Sequence, residues 1–370
     1  MKIKIDTQTD NPLIQSYLNN DLYKFNQLIK DGANINCVNQ IGNSLISMVI
    51  VGDESEDNKK YFDILMENNV CLDPIGQSTN LLYLSLLFGN KFFFEKLLDG
   101  GISINAVNKN SESYYLHHPV IFEIARRGEY GFFDLILNKK LTPGITDRNN
   151  DTILTHFIKY SVRNFTKDQS IDILRRLIEM GEDINERGHN GCMAIHNVVG
   201  IESKHILDIL LEEKYNIDID SRDMWGNTAL ILASFRNDFE SVEKLIKRRA
   251  NMNIINGKNE SAFFLSIVCR CEKSFDILLD NNAAVIDIDK DGNNILHKLI
   301  SYEWTYFSIN IKIYEKIINK HPELLFAKNN DGKTPLDLLT RDNLVHSKKT
   351  QINKIANKID RSNEDRQDRS

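Results

Sequence analysis

Residues Ser221 to Asn253 read SRDMWGNTALILASFRNDFESVEKLIKRRANMN. Asp223-Met224-Trp225-Gly226 has the composition of a tight turn, with a glycine available for a left-handed backbone. Thr228 is placed to cap a short apolar helix that runs to Phe235. A second turn at Asn237-Asp238 leads into an amphipathic helix from Phe239 to Arg248. Ala250-Asn251-Met252-Asn253 then carries the chain to the next turn. A turn and two short helices cannot bury their apolar faces alone, so such a segment has to stack on copies of itself.

Those copies extend in both directions. Toward the N-terminus, first helices begin near Leu45, Leu81, Pro119, Ile153 and Ala194, each followed by a second apolar-periodic segment. Asp10-Asn11-Pro12 reads as a helix start, with a capping side chain ahead of a proline. Toward the C-terminus, repeats open at Ser261, Asn294 and Thr334. The position of Thr228 recurs at Ser44, Asn80, His118, Thr152, Met193, Ser261, Asn294 and Thr334, with spacings of 36, 38, 34, 41, 35, 33, 33 and 40. The floor is 33, and the longer intervals are whole insertions. Those after Ser44, Thr152 and Asn294 are expected to lengthen the loop between the two helices of a repeat.

The Asp-x-x-Gly turn, the Thr-Pro-Leu of Thr334 to Leu336 and ends such as Asp31-Gly32-Ala33-Asn34-Ile35-Asn36 resemble the ankyrin-repeat family. Tetratricopeptide arrays, the competing helix-pair solenoid, lack that turn before the first helix. The resemblance implies an all-α ankyrin-repeat solenoid with short β-turn or hairpin loops. The expected organisation is an N-terminal half or capping repeat over 1–38, about eight to nine repeats over 39–345, a C-terminal capping helix over 346–361 and a disordered tail over 362–370. Divergent arrays of this kind resemble those of large DNA viruses, intracellular bacteria and amoebae. The resemblance also implies that His196 and His297, at the histidine of the family's T-P-L-H, bond to neighbouring turns, and that Asn36, Asn105, Asn185 and Asn253 are candidates for hydroxylation in a eukaryotic host.

Structural roles follow for the motif residues. Gly226, Gly292 and Gly332 are expected in the left-handed region, Thr228 and Thr334 as caps, and Leu230, Leu232, Leu245 and Ile246 in the shared core. Met193 replaces a capping threonine, which predicts a softer sixth repeat.

Composition narrows the function. The chain has 370 residues, 41% hydrophobic and 26% charged, with a net charge of −6 and no long basic run. Nucleic acid and anionic membrane are therefore poor partners. MKIKIDTQTD has no apolar signal core, and Leu81 to Phe88 is too short to span a bilayer. A cytoplasmic protein, in its own cell or a host's, is expected. Five cysteines without regular spacing read as free thiols. Cys269-Arg270-Cys271, placed in a helix, reads as one buried and one partly exposed thiol, and His117-His118 as a turn pair. No phosphate-loop, nucleophile-elbow, zincin or kinase motif is present, and the repeats leave no room for a catalytic domain. No enzyme, cofactor or metal is expected. The acidic run Asp53 to Asp57 reads first as a solvated loop and second as a site for a cation or basic peptide.

What remains is binding. The family resemblance implies a concave strip of turn tips and first helices that docks a partner protein, with the chain itself monomeric. Candidate partner-binding residues are Trp225, Met224, His189, Arg187, Arg148, Lys109, Lys290 and Asn256. Trp225 is either an interface anchor or packing against the next turn. The cluster Tyr302, Trp304, Tyr306 and Phe307 either covers the end of the core or forms a second contact patch. Two further readings stand beside the scaffold: an adaptor recruiting targets to a host or ubiquitin-ligase complex, and an effector or toxin with unrecognised enzymatic activity.

Overall fold

In a computed structural model the chain is described at residues 10–72, 80–105, 119–139, 143–202, 204–282, 288–303 and 311–338, and at helical Thr350, Ile352, Lys354 and Asn357. Lys109, His117-His118, Trp304, Tyr306, Phe307 and the tail 362–370 lie outside these residues, as does most of the expected capping helix. The chain divides into two compact bodies, residues 1–189 and 190–370.

In the first body the helices come in pairs: α1 (Pro12–Leu18) with α2 (Leu22–Lys30), α3 (Leu45–Val51) with α4 (Glu56–Glu67), and α5 (Leu81–Phe88) with α6 (Lys91–Asp99). Next come α7 (Val120–Arg127) with α8 (Tyr130–Asn138), and α9 (Ile153–Asn164) with α10 (Lys167–Glu179). First helices pack in succession, α3 on α5, α5 on α7 and α7 on α9. Second helices do the same, α2 on α4, α6 on α8 and α8 on α10. Rings bridge the layers: Phe62 meets Phe93 at 4.9 Å, Phe94 meets Phe132 at 5.0 Å and Phe133 meets Phe157 at 5.9 Å. Stacking is what stabilises each short pair, since a helix of two turns does not persist in water alone.

The second body repeats the plan with α11 (Ala194–Val198) and α12 (Lys204–Leu210), α13 (Ala229–Phe235) and α14 (Phe239–Lys247), and α15 (Ala262–Val268) and α16 (Glu272–Asp280). It ends in α17 (Ile295–Glu303), α18 (Ile311–Lys320) and α19 (Pro335–Leu338). This is an all-α stack among the described residues. Isolated β-bridges Val38–Ser44, Thr146–Thr152 and Ile255–Ser261 close the turns as minimal hairpins.

Local chemistry explains the helix starts. The Asn11 side chain accepts from the N–H groups of Leu13 and Ile14, Thr228 from Ile231, and Thr334 from Asp337. Each satisfies donors the first helical turn leaves unpaired. Met193 offers no such oxygen. Its own N–H instead donates to His196 Nδ1 at 3.1 Å, and α11 is five residues long.

Four expectations need correction. The extra length after Thr152 enters the helices, not the loop: α9 and α10 have 12 and 13 residues against 7 and 9 in α13 and α14. The acidic run is only partly loop, because Ser55 caps α4 and places Glu56 and Asp57 in its first turn, where the helix dipole favours them. Cys269 and Cys271 flank Arg270, which has φ +59°, so they occupy the loop between α15 and α16. Leu230 and Leu245 are core, but Leu232 and Ile246 are half-buried. Ile231 and Val242 take the buried positions, because a 100° step per residue turns adjacent side chains to different faces.

Candidate partner-binding surface

The turn of the seventh repeat is built by one carboxylate. Asp223, 7% exposed, accepts at Oδ1 from the N–H groups of Trp225 (2.9 Å) and Asn227 (2.8 Å) and at Oδ2 from Asn227 Nδ2 (3.1 Å). Its backbone closes the turn through Asp223 N–H to Asn227 O and Gly226 N–H to Asp223 O. Gly226 has φ +78°, and a Cβ there would stand 2.9 Å from Gly257 N. The same frame recurs at 39–43, 147–151, 256–260, 289–293 and 329–333, each headed by Asn or Asp. Asn150 and Asn259 take the glycine's place with φ of +62° and +61°, as asparagine tolerates this region best after glycine.

Such a turn aims its two middle side chains outward. Met224 and Trp225 are 63% and 53% exposed. Their backbone is held from both sides, Met224 N–H donating to Asn190 O at 2.9 Å and Trp225 O accepting from Gly257 N–H at 2.8 Å. A large apolar pair is thus displayed on a fixed backbone. Lys290 is exposed on a turn of the same body.

Arg148, Arg187 and His189 are exposed in the first body, on neighbouring turns joined by His189 N–H to Asp151 Oδ1 (2.9 Å). Asn256 is different. It is 9% exposed, its Oδ1 accepts from Lys258 and Glu260 N–H, and its Nδ2 donates to Asn227 Oδ1 and Glu260 Oε2. It braces the turn and presents nothing outward. Lys109 lies outside the described residues.

Three exposed apolar residues of the second body escape a motif search. Ile255 (36%) and Ile288 (69%) each precede a turn, and Phe235 (56%) ends α13. Aligning the repeats by column would have found the isoleucines, since Arg222 and Lys328 hold the same slot elsewhere.

Buried charges are engaged within the fold. Burial works against the Glu123 carboxylate, but Arg126 (2.6 and 2.7 Å) and Arg127 (2.6 Å) outweigh it and hold its pKa below the usual range. Burial likewise opposes ionised Asp238, and Lys204, Ser241 and the Gly200 N–H (2.6 Å) lower it. Asp147 is lowered by His156 at 3.3 Å and by backbone N–H groups against the effect of burial. Among the described residues no group of three or more His, Cys, Asp or Glu is arranged to hold a metal ion, and no helix is long and apolar enough to cross a membrane.

His196 and His297 complete the family geometry. Each ring accepts at Nδ1 from the N–H at the start of its own helix and reaches the next repeat's turn through Nε2, to Ser221 O (3.0 Å) and Lys333 O (2.9 Å). A family model for ankyrin repeats in three copies matches residues 165–256. Residues 165–256 thus carry ankyrin repeats. The chain is 21% identical over 281 residues to an ankyrin repeat protein of Acanthamoeba polyphaga mimivirus, covering 74% of this chain and 34% of that one. It is 28% identical over 138 residues to neurogenic locus notch homolog protein 1 of Xenopus laevis, covering 37% of this chain and 5% of that protein. With the human neurogenic locus notch homolog protein 2 it shares 26% over 150 residues, or 40% and 6% of the two chains. The chain therefore spans well under two thirds of these relatives. Ankyrin repeats are in general protein–protein interaction modules, and proteins built of them are in general non-enzymatic scaffolds.

Proposed function

We propose that this ankyrin-repeat chain is a non-catalytic scaffold that binds a partner protein through turn tips and first-helix faces, with Met224 and Trp225 as the anchor. The observation carrying this reading is the exposure of both side chains on a backbone bonded to the turns before and after it. A pre-ordered Trp loses little conformational freedom on binding, and buried Trp residues dominate interface energies. Ile255 and Ile288 supply apolar surface on the following turns, and exposed Lys290 supplies charge.

The test starts from tagged full-length protein expressed in its native cell or host, with partners captured and compared between wild type and Trp225→Ala. The captured partner is then titrated against both purified forms. Trp225→Ala is expected to weaken binding by about 2 kcal/mol, roughly 30-fold in Kd, with thermal unfolding little changed. Unchanged affinity with an intact fold would remove Trp225 from the interface.

A further inference from the structure

The first body holds a second feature that the turn-tip reading leaves unused. A cleft of about 300 Å3 lies between the turn joining α1 to α2 and the loop joining α3 to α4, lined by Tyr17, Leu18, Asn20, Asp53, Asp57 and Tyr61 among others. It is a built feature. Buried Asn58 donates through Nδ2 to Val49 O (2.8 Å) and Asp53 O (2.7 Å), which pins the loop, and accepts from the Tyr17 hydroxyl at 3.1 Å. A Cβ on Gly52 would stand 2.7 Å from Asn58 Nδ2 and 3.1 Å from the Tyr17 hydroxyl, so only glycine lets the loop approach this closely.

Two observations point to a ligand. Tyr61 is 1% exposed, lines the cleft, and among the described residues its hydroxyl has no hydrogen-bond partner. Its ring packs edge-on against Tyr17 (5.2 Å) and Phe25 (4.8 Å). An unmade bond at a buried hydroxyl is costly unless something else makes it. The second observation is charge. Lys59 is engaged by Glu56 and Lys60 by Asp57, whereas Asp53 is bonded only within its own loop, to Ser55, and among the described residues has no cationic partner. The Ser55 hydroxyl and N–H hold the Asp53 carboxyl below the usual range, so it is ionised at neutral pH. Burial first, then nearby carboxylates, push Tyr17 and Tyr61 up to about 12, which keeps both hydroxyls neutral.

We propose that this cleft receives the ε-ammonium group of a lysine side chain from a partner protein. An ammonium has three N–H donors and no acceptor. The cleft offers three kinds of acceptor to match: the Asp53 carboxylate, the Tyr61 oxygen and the lone pairs that Tyr17 keeps while donating to Asn58. A guanidinium is served best by a bidentate carboxylate across a planar fork, and a divalent metal by several hard anionic ligands. One unpaired carboxylate beside two phenols suits neither. The acidic run Asp53 to Asp57 thereby acquires a role, with Asp53 as the ligand while Glu56 and Asp57 are occupied by Lys59 and Lys60.

Full-length protein labelled with fluorotyrosine is titrated with N-acetyl-lysine methylamide and followed by fluorine NMR. Saturable shifts of the Tyr17 and Tyr61 signals are expected, with Kd raised about tenfold in Asp53→Asn and in Tyr61→Phe, the latter read on Tyr17. Asp53 is at the surface and Tyr61→Phe removes only an unpaired hydroxyl, so circular dichroism should show both variants folded. The uncharged norleucine analogue should produce no saturable shift. No saturation with the lysine probe, an equal response to norleucine, or an unchanged Kd in both variants would overturn the proposal. Spermidine binding more than about tenfold tighter than a lysine-bearing peptide would also overturn it, by assigning the cleft to a free polyamine. None of these outcomes bears on Trp225.

Discussion

The fifth and seventh repeats share a turn and little else. Asp147 and Asp223 head identical frames, each accepting two backbone N–H groups at Oδ1. Beyond the turn, the fifth repeat adds five residues to its first helix and four to its second (12 − 7 and 13 − 9). It also replaces the turn glycine by Asn150 and ties its aspartate to His156. Repeats stay in register because the turn and the start of the first helix are held. Length added at the far ends of the helices is tolerated, since it crosses no turn-to-turn bond. The seventh repeat keeps the minimal helices and spends its variation on the two outward turn positions.

Removing the shared element should cost the most. Asp223→Ala leaves three N–H donors of the turn without their acceptor, and a loss of about 3 kcal/mol is expected from denaturant midpoints. Hydrogen exchange at the Trp225 and Asn227 amides should accelerate with it. Asp147→Ala should cost about as much, because it releases two backbone N–H donors and strands buried His156 in place of an asparagine amide. A loss smaller than that of Asp223→Ala by about 1 kcal/mol would mean that His156 adds nothing.

A smaller effect separates the two residues of positive φ. Gly226→Ala adds a left-handed strain and a Cβ 2.9 Å from Gly257 N, for about 2 kcal/mol in total, whereas Asn150→Ala should cost about 1 kcal/mol. If the two changes cost the same, the close approach to Gly257 is not a constraint.

The smallest effect is electrostatic, and its sign differs within the fifth repeat. The folded pKa of Asp147 is lowered, so its contribution is present above the unfolded value of about 3.9 and is lost as pH falls through the folded one. Glu182 is raised by burial, with the Gly144 N–H (3.0 Å) opposing and Glu186 adding to the shift. Its contribution is complete below about pH 4.3 and is lost as pH rises through the folded value. Glu182→Gln should therefore raise the thermal midpoint at pH 7 and leave it nearly unchanged at pH 4. A midpoint lowered at pH 7 would show that the ionised form is the one the Gly144 N–H favours.

The turns were legible because their signal is local. Asp223, Gly226 and Thr228 act on atoms within five residues, and any chain with that pattern closes the same way. Helix ends were less legible. Nothing between Thr152 and Thr166 says whether added residues coil as loop or continue as helix, and the packing of α9 on α7 and of α10 on α8 decides for helix. Cys269-Arg270-Cys271 misled because arginine rarely adopts a positive φ, a conformation imposed here where the chain turns from α15 to α16. Asn256 looked like a turn tip and is a brace, since its position in the frame, not its polarity, sets its burial.

The sequence by itself determined the period, the turn chemistry, the resemblance to ankyrin repeats and the presence of an acidic run with no assigned partner. These are properties of spacing and of atoms a few residues apart. Tertiary structure decided what stacking alone creates: the fixed display of Met224 and Trp225 between neighbouring turns, and the cleft that brings Asp53 to Tyr17 and Tyr61. Both depend on groups some 30 to 40 residues apart meeting across a repeat boundary, backbone to backbone at Met224 and Trp225 and side chain to side chain at Tyr17 and Asn58, 41 residues apart. A period sets that separation only to within an insertion, and a hydrogen bond is lost by a shift of one ångström.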